Sequence, residues 1–242
     1  VWTMPSLGTF NLHAALLPQY RGAAPINWAV INGERMTGVT TFMIDKNIDT
    51  GGIMLRQESR IGTEDTVGDV HDRLMEIGAE LVVQTVEGLI QHNIETRVQR
   101  SFIQGAEVLH PAPKLSRELC HIDWTDTTLH IYNLIRGLSP YPAAFTTLVG
   151  PEGTEPVQLK IFFGTMKEKP QTGGAKPGTV MSDGKSYMDI ATSDGAISLT
   201  DIQLAGKKRM DIKSFLAGFR NPSSYTAGAG TSKAEIDKTR TL

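Results

Sequence analysis

The chain has a single cysteine, Cys120, among its 242 residues. One thiol cannot form an internal disulfide, and it excludes a metal site built from cysteine pairs. No apolar run approaches the ~20 residues that a membrane-spanning helix needs. The formal net charge of −2 excludes a strongly basic protein that binds nucleic acid over its whole surface. We therefore expect a globular protein with no membrane segment and no metal centre.

Hydrophobic residues make up 40% of the chain, which is enough apolar surface for the cores of two ordinary domains. Acidic residues outnumber basic ones in residues 1–94, and basic residues outnumber acidic ones in residues 114–242. The basic excess includes Lys207, Lys208 and Arg209, so a phosphate-rich partner would meet this part of the chain more readily. From charge alone, a solvated surface loop is the alternative interpretation.

Two polar side chains interrupt an extended, apolar run near the start of the chain. Asn11 and His13 are two residues apart, so on a strand they point to the same face, while Phe10 and Leu12 point to the other. Pro18 ends the run because proline cannot donate a hydrogen bond within a sheet. We expect the polar pair at the end of a strand, where open α/β sheets bind their ligands.

A carboxylate follows the next predicted strand. Residues 37–45 are rich in β-branched and apolar side chains, as in a strand. Residues 46–52 contain the Asn, Asp and Gly that are typical of a tight turn. Asp49 lies in this turn, from which its carboxylate could reach the His13 imidazole. The alternative is that Asp49 only caps its own turn through a local hydrogen bond.

The clearest helix is predicted over residues 66–90. Thr66 and Asp69 resemble a capping pair at its start, and apolar residues recur every three or four positions along it. We expect this apolar stripe to pack on the sheet that carries the polar pair. Shorter helices are predicted over residues 22–32 and 127–136.

The chain is predicted to form two domains, over residues 1–94 and 114–242. Between them, residues 95–113 lack a sustained period and end in a proline-rich sequence, which indicates an interdomain linker. The second domain alternates β-prone runs with turns, which indicates a small barrel, and the segment from Asn221 onward is predicted to be a loose tail. The β-prone runs are residues 144–149, 157–163, 179–181, 188–192 and 196–204.

The sequence resembles the 10-formyltetrahydrofolate-dependent formyltransferases. The resemblance is carried first by Asn11 to Gly22 and by residues 38–51, and it extends over the whole chain. Within the family, the C-terminal segments favour the members that formylate methionyl initiator tRNA. Those segments are residues 114–118, 122–124, 135–145, 176–180 and 203–210.

This resemblance implies an α/β fold, with a partial Rossmann-like formyltransferase domain followed by a small OB-like β-barrel domain. It implies that 10-formyltetrahydrofolate is the formyl donor, without a metal, and that methionyl initiator tRNA is the acceptor. Asn11, His13 and Asp49 are the implied catalytic residues. The implied location is the cytoplasm, or an organelle that starts translation with formylmethionine. We expect a cytoplasmic monomer with no membrane partner.

The resemblance also implies contacts with both substrates. The loop formed by Ala15, Leu16, Leu17 and Pro18 would border the folate, partly through backbone groups. The family usually has serine in place of Ala15, and the absence of one hydroxyl group from the pocket costs on the order of 1 kcal/mol. Basic residues of the second domain, Lys207, Lys208 and Arg209, would contact the tRNA.

The first residues contain neither a basic stretch nor an apolar run like those of a signal peptide, and the resemblance implies that about a hundred residues are missing ahead of Val1. We therefore expect this chain alone to be an incomplete enzyme. Three alternatives stay open. A sugar-nucleotide formyltransferase shares the Asn-x-His…Asp core, a formyltetrahydrofolate hydrolase would use water as acceptor, and an RNA-binding module would lack catalysis.

Overall fold

A computed structural model describes residues 3–106, 108–168 and 174–228. These residues divide into two compact units, one that ends at Leu115 and one that begins at Ser116. Within the described ranges, every helix is too short or too polar to cross a bilayer.

The first unit is built on a three-stranded antiparallel sheet in the order β1-β2-β3. The strands are β1 (Phe10–His13), β2 (Met36–Met43) and β3 (Ile53–Arg60). Helix α1 (Pro25–Ile31) lies between β1 and β2 along the chain, and helix α2 (Val67–Ile90) follows β3. This mixed α/β organisation agrees with the predicted fold class.

Helix α2 begins as the sequence predicts. The Thr66 hydroxyl accepts from the Asp69 N–H, and the Asp69 carboxylate accepts from the Thr66 N–H, so two of the unpaired donors at the helix start are satisfied. The apolar stripe of α2 packs in the core of the unit against Leu12 of β1. Because side chains alternate along a strand, Asn11 and His13 face away from α2.

Strand β3 was not predicted from the sequence. Arg56, Glu58 and Arg60 interrupt its apolar pattern, yet the strand pairs with β2 over almost its whole length. Its backbone is therefore held by the neighbouring strand, while Gln57, Glu58 and Arg60 are exposed to solvent.

In the segment predicted as an interdomain linker, residues 95–106 and 108–113 instead pack on the first unit. Arg97 forms a β-bridge with Ile53, and Ala112 forms one with Gly22. The Tyr20 N–H donates to the His110 carbonyl at 2.8 Å. Apart from the 3-10 turn Gln99–Phe102, the described part of the segment is irregular, and hydrogen bonds to separate loops of the unit hold it in place.

The second unit is a nearly closed β-barrel with α3 (Arg117–Cys120) and α4 (Thr128–Leu138) ahead of its strands. The strand order is β10-β4-β5-β8-β7-β6, with β9 paired to β8. A bridge between Thr179 and Thr226 joins the two ends of this order. The strands are β4 (Ala144–Val149), β5 (Val157–Glu168), β6 (Val180–Ser182), β7 (Met188–Ala191), β8 (Gly195–Leu204), β9 (Met210–Asp211) and β10 (Thr226–Ala227).

The prediction of a loose tail from Asn221 is wrong over residues 221–228. Residues Pro222–Ser224 form a 3-10 turn, and β10 pairs with β4 at the open side of the barrel. Ala227 is buried there, so apolar burial and backbone hydrogen bonds both hold the segment. The rest of the predicted tail lies outside the described residues. A short helix that the sequence did not predict, α5 (Ile212–Leu216), precedes this segment.

Candidate active site

His13 lies at the end of β1 and is only 5% exposed. The Tyr20 carbonyl lies 2.8 Å from its Nε2, and because a carbonyl can only accept, Nε2 carries the proton. The Phe42 ring stands edge-on to the imidazole, with ring centroids 6.4 Å apart. The ring is therefore fixed in orientation, and its Nδ1 is the nitrogen left for chemistry.

The Asp49 carboxylate lies beside that nitrogen. Its Oδ2 is 3.8 Å from His13 Nδ1, and the side chain is 14% exposed. The same oxygen accepts from the Gly22 N–H at 3.0 Å. The neighbouring Asp45, by contrast, caps the turn, because it accepts from the Asn47 N–H and the Thr50 hydroxyl. Asp49 thus bonds across the fold rather than within its own turn.

Asp49 does not reach His13 simply because each residue lies at or after the end of a strand. β1 and β2 are antiparallel, so β2 ends near Phe10, at the start of β1. Residues 44–52 must return along the sheet, and they do so with Asp49 at a positive φ of 54°. A β-carbon at Gly51 would lie 1.6 Å from the Met43 carbonyl oxygen, so the return requires glycine at this position.

Burial lowers the pKa of the His13 imidazole below its ordinary value of 6.5. The hydrogen bond to the Tyr20 carbonyl and the charge of Asp49 both raise the pKa, but they do not offset the desolvation. His13 is therefore neutral at pH 7, with a lone pair on Nδ1 that faces the carboxylate. Protonation of Nδ1 would create an imidazolium next to Asp49.

This lowered pKa predicts a pH dependence of stability. Below about pH 6.5 the unfolded chain protonates His13 more readily than the folded chain does, so the free energy of unfolding falls as the pH falls toward the folded-state pKa. We expect His13→Gln to flatten this dependence, measured by denaturant unfolding at several pH values across that window. An unchanged dependence would show that His13 does not contribute to it.

Asn11 shares the face of β1 with His13, as predicted, but its side chain is exposed. It pairs across the sheet with Phe42, whereas His13 pairs with Thr40. The described residues therefore bring His13 and Asp49 together and leave the Asn11 amide directed outward on the same side of the sheet.

The loop of Ala15 to Pro18 is held by Thr40, which the sequence analysis did not single out. The Thr40 hydroxyl donates to the Ala15 carbonyl at 2.7 Å and accepts from the Leu17 N–H at 3.1 Å. Ala15, Leu17 and Pro18 are buried, and Leu16 is partly exposed. A threonine inside a predicted strand gives no sequence signal for this role, because the loop it holds is distant in the chain.

A second residue missed by the sequence analysis is Gln99, which lies in the segment predicted as linker. Its side-chain amide donates to the carbonyls of Asp49 and Gly51 at 2.8 and 2.9 Å. Its oxygen accepts twice from the Arg21 guanidinium, at 3.0 and 2.6 Å. The site thus includes a buried amide that contacts two of its loops.

The basic residues of the second unit differ in their surroundings. Lys207 and Lys208 are exposed at the turn between β8 and β9. The Arg209 guanidinium donates through Nε to both oxygens of Asp201, at 2.9 and 2.8 Å, and lies over the Phe162 ring. Arg209 is therefore committed to its own unit, whereas the two lysines can turn toward a partner.

The structure gives no indication of a metal centre in the part of the chain that it describes. No group of three or more His, Cys, Asp or Glu side chains there has the arrangement needed to hold an ion. The polar groups on this side of the sheet are the Asn11 amide and the His13 imidazole of β1 and the Asp49 carboxylate of the loop after β2.

Comparisons with known proteins give consistent findings. Residues 1–86 match the formyl transferase family, and residues 114–220 match the formyl transferase C-terminal domain. The methionyl-tRNA formyltransferase of Parabacteroides distasonis is 50% identical over 94% of this chain and 69% of that protein. The methionyl-tRNA formyltransferase of Bacteroides fragilis is 47% identical over 93% of this chain and 68% of that protein.

Solved structures share the fold at lower identity. HypX from Aquifex aeolicus, in complex with tetrahydrofolic acid, is 21% identical with a TM-score of 0.61, over 87% of this chain and 35% of that chain. An N-formyltransferase from Helicobacter canadensis, with folinic acid and dTDP-3-aminofucose, is 21% identical with a TM-score of 0.59, over 83% of this chain and 66% of that chain. On the evidence of both sequence matches and relatives, the chain belongs to the formyl transferase family, among the methionyl-tRNA formyltransferases.

Proposed function

We propose that the protein transfers a formyl group from 10-formyltetrahydrofolate to the α-amine of methionyl initiator tRNA, as a monomer in the cytoplasm. The observation that carries this proposal is the 50% identity to a methionyl-tRNA formyltransferase over 94% of the chain. The N-formyltransferase solved with dTDP-3-aminofucose resembles the chain at only 21% identity, so it supports the fold and not a sugar acceptor.

The residues on the described face of β1 fit a formyl-bearing folate. A formyl carbonyl needs a hydrogen-bond donor for its oxygen, and proton transfer between two nitrogens needs a group that titrates near neutral pH. Asn11 offers the donor, and His13 beside Asp49 offers the titrating group. The loop of Ala15 to Pro18 would border the folate mainly through its backbone and Leu16, because the other side chains of the loop are buried.

When bound, 10-formyltetrahydrofolate supplies an electrophilic formyl carbon on its N10 nitrogen. A bond forms from this carbon to the methionyl amine as the bond to N10 breaks, and the proton lost by the amine ends on N10. Asn11 donates to the formyl oxygen as negative charge develops there, and one such donor is worth roughly 3–4 kcal/mol.

His13 carries the proton between the two nitrogens in this proposal. Its Nε2–H is engaged by the Tyr20 carbonyl, so Nδ1 takes the proton from the attacking amine. Asp49, 3.8 Å away, stabilises the resulting imidazolium, directly or through a water, until the proton is passed to N10. No step needs a metal.

The direct test uses protein expressed from the complete reading frame that encodes this chain. With 10-formyltetrahydrofolate as donor, formyl transfer is measured to methionyl initiator tRNA, with a UDP-aminosugar and water as the competing acceptors. We expect transfer to the tRNA alone. Transfer to the sugar, or release of formate only, would contradict the acceptor, and no reaction with bound tRNA would favour an RNA-binding module.

The second unit is proposed to contact tRNA through Lys207 and Lys208. We expect the double substitution to alanine to weaken tRNA binding and to make the tRNA affinity less dependent on salt concentration. The slope of log K against log salt should fall by roughly 0.7–0.9 for each phosphate that a lysine no longer neutralises. The measurement is a tRNA-binding titration at several salt concentrations.

Lys185→Ala is a matched control, because Lys185 is an exposed lysine in another turn of the same barrel. It should leave the affinity and the salt slope near their wild-type values. An unchanged slope in the Lys207 and Lys208 variant would mean that these lysines belong to a solvated loop.

A further inference from the structure

Gln99 has an unusual set of contacts for a residue outside any strand or long helix. Its side chain is 4% exposed, and both ends of its amide are paired. The nitrogen donates to the carbonyls of Asp49 and Gly51, and the oxygen accepts from the Arg21 guanidinium. A buried amide that forms four hydrogen bonds has its full bonding capacity used, so it fixes the groups that it contacts.

The loop that carries Asp49 has a backbone conformation that is stable only with support from other residues. Asp49 has a φ of 54°, in the left-handed region that a side chain with a β-carbon disfavours and that persists only where surrounding contacts hold it. The Gln99 amide is bonded to the carbonyl of this residue and to that of Gly51, two residues later. The two hydrogen bonds therefore set the backbone from which the Asp49 carboxylate extends toward His13.

The other end of Gln99 leads to the second loop of the site. Arg21, which donates twice to the Gln99 oxygen, stands between Tyr20 and Gly22 in the chain. Tyr20 supplies the carbonyl that fixes the His13 imidazole, and Gly22 supplies the N–H that binds the Asp49 carboxylate. One side chain thus bonds both to the loop that carries Asp49 and to the loop that receives it.

We infer that Gln99 is a positioning residue for formyl transfer, which acts by holding the Asp49 carboxylate beside His13. This inference rests on the proposed function, because it assumes that Asp49 takes part in the reaction. The hydrogen bonds of Gln99 go to the backbone of the Asp49 loop and to Arg21, not to the Asp49 carboxylate or the His13 imidazole. Its effect on the rate should therefore disappear when the Asp49 carboxylate is removed by other means.

The test is a double-mutant cycle with Gln99→Met and Asp49→Asn in the protein from the complete reading frame. Methionine keeps the length of the side chain and removes all four hydrogen bonds. In the wild-type background we expect Gln99→Met to lower kcat by roughly tenfold to a hundredfold, as a displaced catalytic group does. In the Asp49→Asn background we expect less than about a threefold further loss.

Gln91→Met is the control, because Gln91 is an exposed glutamine at the end of α2, and it should keep the wild-type kcat. Gln99→Glu is a second variant, which keeps the acceptor for Arg21 and loses the donors to the loop, and it should resemble Gln99→Met. Thermal unfolding of each variant confirms that folded proteins are compared.

The outcomes separate the inference from the proposed function. If the wild-type protein forms no formyl-methionyl-tRNA, the proposed function fails and the inference fails with it. If the wild type is active but Asp49→Asn is fully active too, formyl transfer stands, and the inference fails because Asp49 takes no part in the reaction. If Asp49→Asn is impaired but Gln99→Met costs the same factor in either background, only the inference is overturned. It is overturned as well if neither Gln99 variant folds, because the role of Gln99 would then be structural.

Discussion

Replacing His13 with alanine is expected to lower kcat for formyl transfer by roughly 10²–10⁴-fold, the range that general acid–base groups supply. The Michaelis constant for the folate should change by less than about threefold, because His13 is 5% exposed and is proposed to move a proton rather than to bind the donor. Steady-state kinetics with 10-formyltetrahydrofolate and methionyl initiator tRNA give both constants.

His71→Ala is the matched control, since His71 is an exposed histidine on α2, in the same unit. It should leave kcat at the wild-type level. Equal losses in kcat and in folate affinity for His13→Ala would contradict the proposed role, because they would assign His13 to folate binding instead of proton transfer.

The parts of the fold that the sequence predicts are those governed by local patterns. α2 has both a capping pair and a long apolar stripe, and the structure confirms each of them. The alternation in β1 correctly puts Leu12 on the core side and His13 on the other. In both elements a short-range rule and the tertiary packing favour the same conformation.

The elements that the sequence did not predict are those whose conformation depends on tertiary contacts. β3 has charged side chains along much of its length, and only its pairing with β2 makes it a strand. Residues 95–106 and 108–113 have no apolar period because hydrogen bonds to separate loops of the unit set their conformation. Gln99 has no local signal at all, since its four hydrogen bonds all lead to residues at least 48 positions away.

The candidate site also has parts that the sequence predicts and parts that depend on tertiary contacts. The sequence predicts the spacing of Asn11 and His13 and marks Asp49 as a turn residue, but the turn pattern leaves open whether Asp49 only caps its own turn. In the structure Asp45 caps the turn, and Asp49 bonds to Gly22 across the fold. The distinction depends on a positive φ and on the return of a loop along the sheet, and neither has a clear pattern in sequence.

A lowered pKa suits a residue that must accept a proton at neutral pH. Burial keeps His13 neutral, and an imidazole with Nε2–H fixed by the Tyr20 carbonyl offers a single basic nitrogen. The adjacent carboxylate has little to stabilise until that nitrogen is protonated. The Asp49 charge therefore acts mainly on the protonated state, which is the condition for an interaction that accelerates a reaction rather than one that strengthens binding.

Asp49→Asn is expected to lower the plateau value of kcat by roughly 10²–10³-fold, as the loss of one well-placed electrostatic group does. Asparagine keeps an oxygen for the Gly22 N–H, so the loop should stay in place while the charge is lost. The Asp49 charge raises the His13 pKa, so its removal lowers that pKa further. Because the neutral imidazole is the active form, the acid limb of the pH–rate profile should move to lower pH.

The two effects can be measured together, as the plateau of kcat and the acid limb of kcat/KM between about pH 5 and about pH 8. Asp45→Asn is the matched control, because Asp45 lies in the same loop and bonds only within its turn among the described contacts. It should leave the limb where it is in the wild type. If Asp49→Asn kept both the plateau and the limb, Asp49 would serve only to hold the loop, and the proton would have to move without a neighbouring charge. That route would leave a buried imidazolium without the carboxylate that faces it, and a buried charge without a partner is costly.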